Sequence, residues 1–153
     1  MSKRLAIFII IMMLTYLVAT PCASAMLVLY SPQDMIERSS LIVDATVVGS
    51  TTERTTYGGE PVETFKVNAV LKGITTGPTI TVSKSLYQPM PNPGTRVMVL
   101  LQVNPSKYSR ANYIFTGDVN NIGIIKGGKV VDIFNGVNIK GSDRIAIYNN
   151  FYQ

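Results

Sequence analysis

The sequence predicts an all-β protein with one minor helix, a small closed or partly open β-barrel preceded by a cleavable signal peptide. Three observations predict it. Apolar residues recur two apart through several stretches, the period of a strand with one wet and one buried face. Gly-Gly, Gly-Pro and Asn-Gly pairs stand between those stretches, where turns need them. The first long hairpin comes into register only if one extra residue is inserted near a glycine, a device closed barrels use to turn a corner.

The chain of 153 residues has room for one domain. Lys3 and Arg4 give it a positive start, Leu5 to Ala19 is an uncharged apolar run, and Ala23-Ser24-Ala25 supplies the small residues a signal peptidase reads. Residues 1–25 are therefore read as a signal peptide cleaved after Ala25, and 26–153 as a single β-barrel domain. One alternative is a retained membrane anchor, although Thr20-Pro21 cuts the run short of the roughly 20 apolar residues a span needs. The other is a lipoprotein signal at Cys22, beside which Pro21 makes a poor lipobox. Cleavage removes the only cysteine, so the exported domain has no disulfide and is held by packing alone. It also removes Lys3 and Arg4, lowering the formal charge from +5 to +3, a mild basic excess.

Met26 to Tyr30 reads as a short edge strand. Ser31-Pro32-Gln33-Asp34 then starts a helix near 32–39, with Ser31 as N-cap, Pro32 where no amide hydrogen is needed and Asp34 at the capping-box position. Met35 and Ile36 give it an apolar face, Arg38 suits its last turn, and its expected place is the end of the barrel. Leu41 to Val48 is the first long strand, with Leu41, Val43, Ala45 and Val47 on its apolar face. It continues through Ser50 to Thr56 into a hairpin closed at Tyr57-Gly58-Gly59-Glu60. Val62 to Gly73 returns, with Phe65, Val67, Ala69 and Leu71 inward. Counting from that turn sets the apolar face of the first strand against the wet face of the second. A one-residue bulge at Gly49 restores the match.

Thr79 to Lys84 is a third strand with Ile80 and Val82 inward. Tyr87 to Gly94 carries three prolines and is a loop. Thr95 to Val103 is apolar on both faces, Val97, Val99, Leu101 and Val103 on one and Met98 and Leu100 on the other, so it is expected to be covered on both sides. Asn112 to Thr116 is a short strand after the polar loop Asn104 to Arg110, and Gly117 to Asn121 turns the chain. Ile122 to Lys126 and Lys129 to Phe134 form a hairpin about Gly127-Gly128, with Ile122, Ile124, Val131 and Ile133 on one side. Asn135-Gly136 suggests a further strand from Val137 to Lys140. The tail after Ser142 reads equally as a last strand or a short capped helix.

The order of parts resembles that of a known group. A short helix ending in Glu37-Arg38-Ser39-Ser40 runs into Leu41 to Gly49, then Phe65 to Gly73, then Pro93 to Leu101. This resembles small exported bacterial proteins with an OB-like barrel, distantly similar to the TIMP/netrin-like modules. The resemblance covers roughly residues 31–103 and implies a barrel and, through the inhibitors of that group, a regulatory partner of an exported enzyme. Those inhibitors chelate a protease zinc with a mature N-terminal cysteine. Here the domain starts at Met26 without a cysteine, so that mechanism does not carry over.

Histidine is absent, which removes Ser-His-Asp and Cys-His nucleophiles, imidazole acid–base chemistry and histidine metal sites. Asp44 and Asp132 interrupt apolar strands, and both are expected to point outward. Gly117 to Gly123 fails as a calcium loop, since Ile122 stands at a ligand position and Lys129 where the bidentate glutamate belongs. Lys84 and Lys107 adjoin serines, yet a Ser–Lys nucleophile needs a desolvated lysine. No catalytic residue, cofactor or metal ligand is assigned. The candidate contact residues are Lys84, Tyr87, Lys107, Tyr108 and Arg110, in the loop set Gln88 to Gly94 and Asn104 to Arg110 and beside it, with Tyr113, Tyr148 and Tyr152 as further ring surfaces. The expected function is a non-catalytic extracytoplasmic binding module. Its partner would be an exported protein or an anionic envelope polymer, not nucleic acid, with membrane contact only through an uncleaved signal segment. A histidine-free hydrolase ranks last.

Overall fold

The computed structural model describes residues 29–75, 77–84, 88–136 and 143–153. The segment 1–25 expected to be a signal peptide, Met26 to Val28, Tyr87 and the strand expected from Val137 to Lys140 lie outside the described residues.

The first element is the helix α1 (Pro32–Arg38), started as expected: Ser31 Oγ accepts the Asp34 N–H at 3.1 Å, and Pro32 occupies the first turn. Seven strands follow among the described residues: β1 (Leu41–Thr55), β2 (Gly58–Lys72), β3 (Thr79–Ser83), β4 (Arg96–Val103), β5 (Tyr113–Phe115), β6 (Ile122–Lys126) and β7 (Lys129–Ile133). Their order is β1-β2-β3-β5-β4-β6-β7, and β1 also pairs with β4. The first five therefore close into a barrel, antiparallel throughout except where β3 meets β5. The β6–β7 hairpin extends the sheet beyond the ring from the edge of β4. The tail after residue 142 resolves to a helix, α2 (Arg144–Tyr152), N-capped by Asp143.

Two cores follow from the two apolar faces of β1 and β4. Leu41, Val43, Ala45 and Val47 point into the barrel with Phe65, Ile80, Val82, Val97, Val99 and Leu101. Ile42, Met98 and Leu100 point outward and are covered by Ile125, Val130 and Ile133 of the hairpin and by Tyr148 of α2. Burial on both faces of β4 is the outcome its sequence requires. The same outer core takes Met35 and Ile36, so α1 packs on the flank of the barrel, a correction to its expected place at the end. Asn149 of α2 satisfies the outer edge of β7. Its amide accepts the Val130 N–H at 2.7 Å and donates to the Val130 carbonyl at 2.8 Å, as a neighbouring strand would.

The β1–β2 register bears out the bulge and moves the turn. Val47 pairs with Phe65 and Gly49 with Thr64, leaving Val48 as the extra residue beside a glycine at φ 155. The turn itself is Thr56-Tyr57, since Thr55 pairs with Gly58 and its hydroxyl accepts the Tyr57 N–H at 3.3 Å. The hairpin closes two residues earlier than the Gly-Gly pair suggested. Both placements pair residues whose numbers sum to an odd total, so the face mismatch, and with it the bulge, arises either way.

Further bulges at Asn68 and Leu71 correct the inward assignment of β2. Phe65 and Val67 pack on the inner core as expected, whereas Ala69 is exposed and Leu71 joins the outer core. Beyond Lys66, β3 no longer pairs with it. Val131 is likewise the extra residue of β7 and is exposed; Ile122 and Ile124 pack on the inner core, and Ile133 joins Ile125 and Val130 on the outer one, so the expected set does not share one face.

Gly73 ends β2 at φ 82 where a Cβ would collide with the Ser40 carbonyl oxygen. Gly73→Ala is expected to cost about 2 kcal/mol of unfolding free energy, from positive-φ strain and the displaced backbone. Urea titration of the purified variant against the parent checks this.

Candidate functional site

Lys84 is not a surface contact. It follows Val82 on the inward face of β3 and meets Ser50 of β1 and Glu63 of β2, which are paired across the hairpin. Its Nζ lies 2.8 Å from Ser50 Oγ and 3.3 Å from Glu63 Oε2, and the Ser50 hydroxyl also donates to Glu63. Glu63 is 1% exposed and Lys84 largely covered, so the ion pair sits at the edge of the barrel interior with the exposed Ser50 hydroxyl bridging it. The arrangement has the outline of an activated serine, but the amine is committed to a carboxylate, whereas a Ser–Lys nucleophile needs its lysine free of an acidic partner in an apolar pocket. Lys84 holds the barrel together.

Lys107, Tyr108 and Arg110 do come together, and two residues of the β1–β2 tip join them. Arg54, Lys107 and Arg110 line a hollow of about 500 Å³ with Tyr108 and Ser109. None of these three exposed cations is in an ion pair among the described residues. The Tyr57 and Tyr108 rings meet edge to face with centroids 5.3 Å apart, yet stay 78% and 54% exposed. Large aromatic rings left in water beside unpaired cations are not accounted for by packing.

What holds the two loops together is Glu60. Its carboxylate accepts from Ser109 Oγ and, at 2.9 Å, from the Arg110 N–H. Burial pushes the Glu60 carboxyl up, but hydrogen bonds from Ser109, Ser83 and Arg110 outweigh it and hold it below its usual range. The tip and the Asn104–Asn112 loop thus form one surface. Arg54 and Tyr57 were not legible as part of it, because the expected Gly-Gly turn placed Tyr57 at the turn's shoulder and not at its tip.

Two more hollows continue from the basic one. A hollow of about 370 Å³ shares Thr55, Tyr108 and Ser109 with it and adds Tyr57, Pro61 and Ser106. A third, of about 440 Å³, shares Ser83 and Ile114 with the second and reaches Gln88, Asp118 and Asn135. Of the expected loop Gln88 to Gly94, then, Gln88 and Pro89 reach this face, at the end away from the cations.

Asp44 and Asp132 do not form a catalytic pair. Asp132 is exposed and accepts the Ile133 N–H, as expected. Asp44 corrects its expectation: it lies on the outer face of β1 but is 1% exposed, because α2 covers that face. Arg96 grips it through Nε at 2.9 Å and Nη2, Tyr152 Oη donates at 2.6 Å and Asn68 Nδ2 at 3.1 Å. Its partners are donors, where glycosidase chemistry needs a second carboxyl nearby. Tyr148 and Tyr152 are likewise structural, Tyr148 through its bond to the Asn120 carbonyl at 2.7 Å, and Tyr113 lines the barrel core. Among the described residues no cluster of three metal-ligating side chains occurs. No protein-family model matches the chain, and no curated protein matches it.

Proposed function

We propose that the chain is a non-catalytic binding module acting outside the cytoplasm, and that it takes an anionic polymer of the envelope at the surface made by the β1–β2 tip and the Asn104–Asn112 loop. One observation carries the reading: the side chains of Arg54, Lys107 and Arg110 line one concavity and none of them is in an ion pair among the described residues, the nearby Glu60 carboxylate being taken up by Ser109 and the Arg110 N–H. Cations left unpaired around a hollow are matched by a ligand's oxyanions, whose charge they attract from a distance. The N-terminal Lys3-Arg4, apolar run and Ala23-Ser24-Ala25 support an address outside the cytoplasm.

Titration with polyphosphate and with an acidic glycan at low salt tests the reading. Both are expected to bind, and Lys107→Glu with Arg110→Glu is expected to weaken both by about tenfold or more. Added salt weakens the parent protein in the same direction. Equal binding by parent and charge-reversed protein would sink the proposal. Both side chains are exposed and outside the cores, so the variant's fold, followed by far-UV circular dichroism, is expected to stay intact.

A further inference from the structure

We infer that the polymer taken at this surface is a glycan chain carrying acidic groups, laid along the three hollows with an acidic group at Arg54, Lys107 and Arg110 and neutral sugar rings beyond. The inference rests on the anion-binding reading above and adds the chemistry of the rest of the ligand.

The hollows form a row, not a single cup. The first and second share Tyr108, and the second and third share Ser83 and Ile114. A row of adjoining hollows suits an extended chain more than a compact metabolite. Its chemistry also changes along its length. The basic hollow is lined mainly by polar surface. The middle hollow has an apolar wall of Tyr57, Tyr108 and Pro61 with Ser83, Ser106, Asn104 and the Glu60 carboxylate around it, so it too disfavours an anionic group. A sugar ring presents an apolar C–H face and hydroxyl edges, and that combination matches an aromatic wall ringed by hydroxyls and an amide.

A polyanion without rings would use only the first hollow. The third hollow repeats the mixed pattern, with Ile114, Phe115 and Phe134 as floor and Gln88 and Asn135 as polar groups. It also contains Asp118, which is exposed and acidic, so an anionic group is disfavoured there. Charge therefore sets the direction of the chain: acidic group at the arginines, neutral ring at Asp118. A uniformly charged strand such as single-stranded nucleic acid would bring phosphate to both ends, which this gradient opposes, although its bases also stack on tyrosine.

Calorimetric titration with four probes tests the inference: hyaluronan hexasaccharide, in which acidic and neutral sugars alternate, neutral chitohexaose, polyphosphate and oligo(dT). The hyaluronan fragment is expected to bind tightest. Tyr57→Ala with Tyr108→Ala is expected to weaken it about tenfold while leaving polyphosphate within about twofold, and the Tyr→Phe pair is expected to restore it. Polyphosphate binding as tightly as the hyaluronan fragment, or tyrosine variants without effect on the latter, would overturn the glycan and leave the anion-binding surface standing. Tightest binding of oligo(dT) would replace the glycan by single-stranded nucleic acid and so overturn the inference. Binding of none of the three polyanions would remove the function proposed above along with it.

Discussion

Lys84→Met is expected to lower the unfolding free energy by about 3–5 kcal/mol, because it strands the Glu63 carboxylate inside the barrel with one hydroxyl for company. For a domain whose whole stability lies near 5–15 kcal/mol, that brings the chain close to unfolding at ambient temperature. Glu63→Gln is the gentler partner, since a neutral amide keeps a bond to Ser50 and removes the acid. The informative variant is the pair Glu63→Leu with Lys84→Met. Taking out both charges and filling the space with aliphatic side chains is expected to recover most of the loss. Urea unfolding of the single and double variants gives the coupling between the two sites. A Lys84→Met variant as stable as its parent would return Lys84 to the role of a surface contact. The same variant is expected to bind polyphosphate like the parent wherever it is folded, since Lys84 lines none of the three hollows.

Lys84 also shows where the sequence stops being informative. Its inward position follows from the alternation of Val82 and Ile80, two and four residues before it, and that alternation is visible in the chain. Its partners are not. Glu63 stands beside an apolar run as an acidic edge would, and only the β1–β2 register places Ser50 opposite it. Patterns of period two report which face a residue takes, not which residue from another strand shares that face. The barrel itself was more accessible, since the need for an extra residue near Gly49 depends on parity and survives an error in the turn. The burial of Asp44 was inaccessible for a different reason. Outward-facing positions on a strand are wet by default, and nothing in Leu41 to Val48 indicates that a C-terminal helix will lie across them. The proposed binding surface had the same limit: Lys107, Tyr108 and Arg110 are adjacent in the chain, whereas Arg54 and Tyr57 reach them through tertiary contacts such as Glu60 with Ser109.

Asp44→Ala is expected to cost about 3 kcal/mol and to flatten the acid limb of the stability curve. The carboxylate accepts bonds from Arg96, Tyr152 and Asn68, and hydrogen bonds to a charged acceptor are the stronger kind. The Arg96 side chain is half in water and finds new hydration once its partner is gone, so the loss stays well short of the sum of three charged bonds. Burial pushes the Asp44 carboxyl up, and the donors from Arg96, Tyr152 and Asn68 more than offset it, holding it below its usual value of 3.8. An acid with a depressed folded-state value binds fewer protons folded than unfolded, so it adds stability above its unfolded value. That stability disappears as pH falls below about 4 and through the lower folded-state value. Asp44→Asn should therefore track the parent protein in shape above this window at a constant deficit, then converge on it as the parent's carboxylate gains its proton. Tyr152→Phe is expected to show a fraction of the same effect, because it removes one donor and leaves the arginine grip. Since Tyr152 is the last residue of α2, the acid transition of the parent should begin with that helix leaving the barrel. Hydrogen exchange on the amides of residues 144–152 at falling pH is expected to speed up before exchange in β1 and β4 does. Simultaneous loss of protection in the helix and the barrel strands would show that Asp44 stabilises the fold globally instead of fastening its C-terminal end.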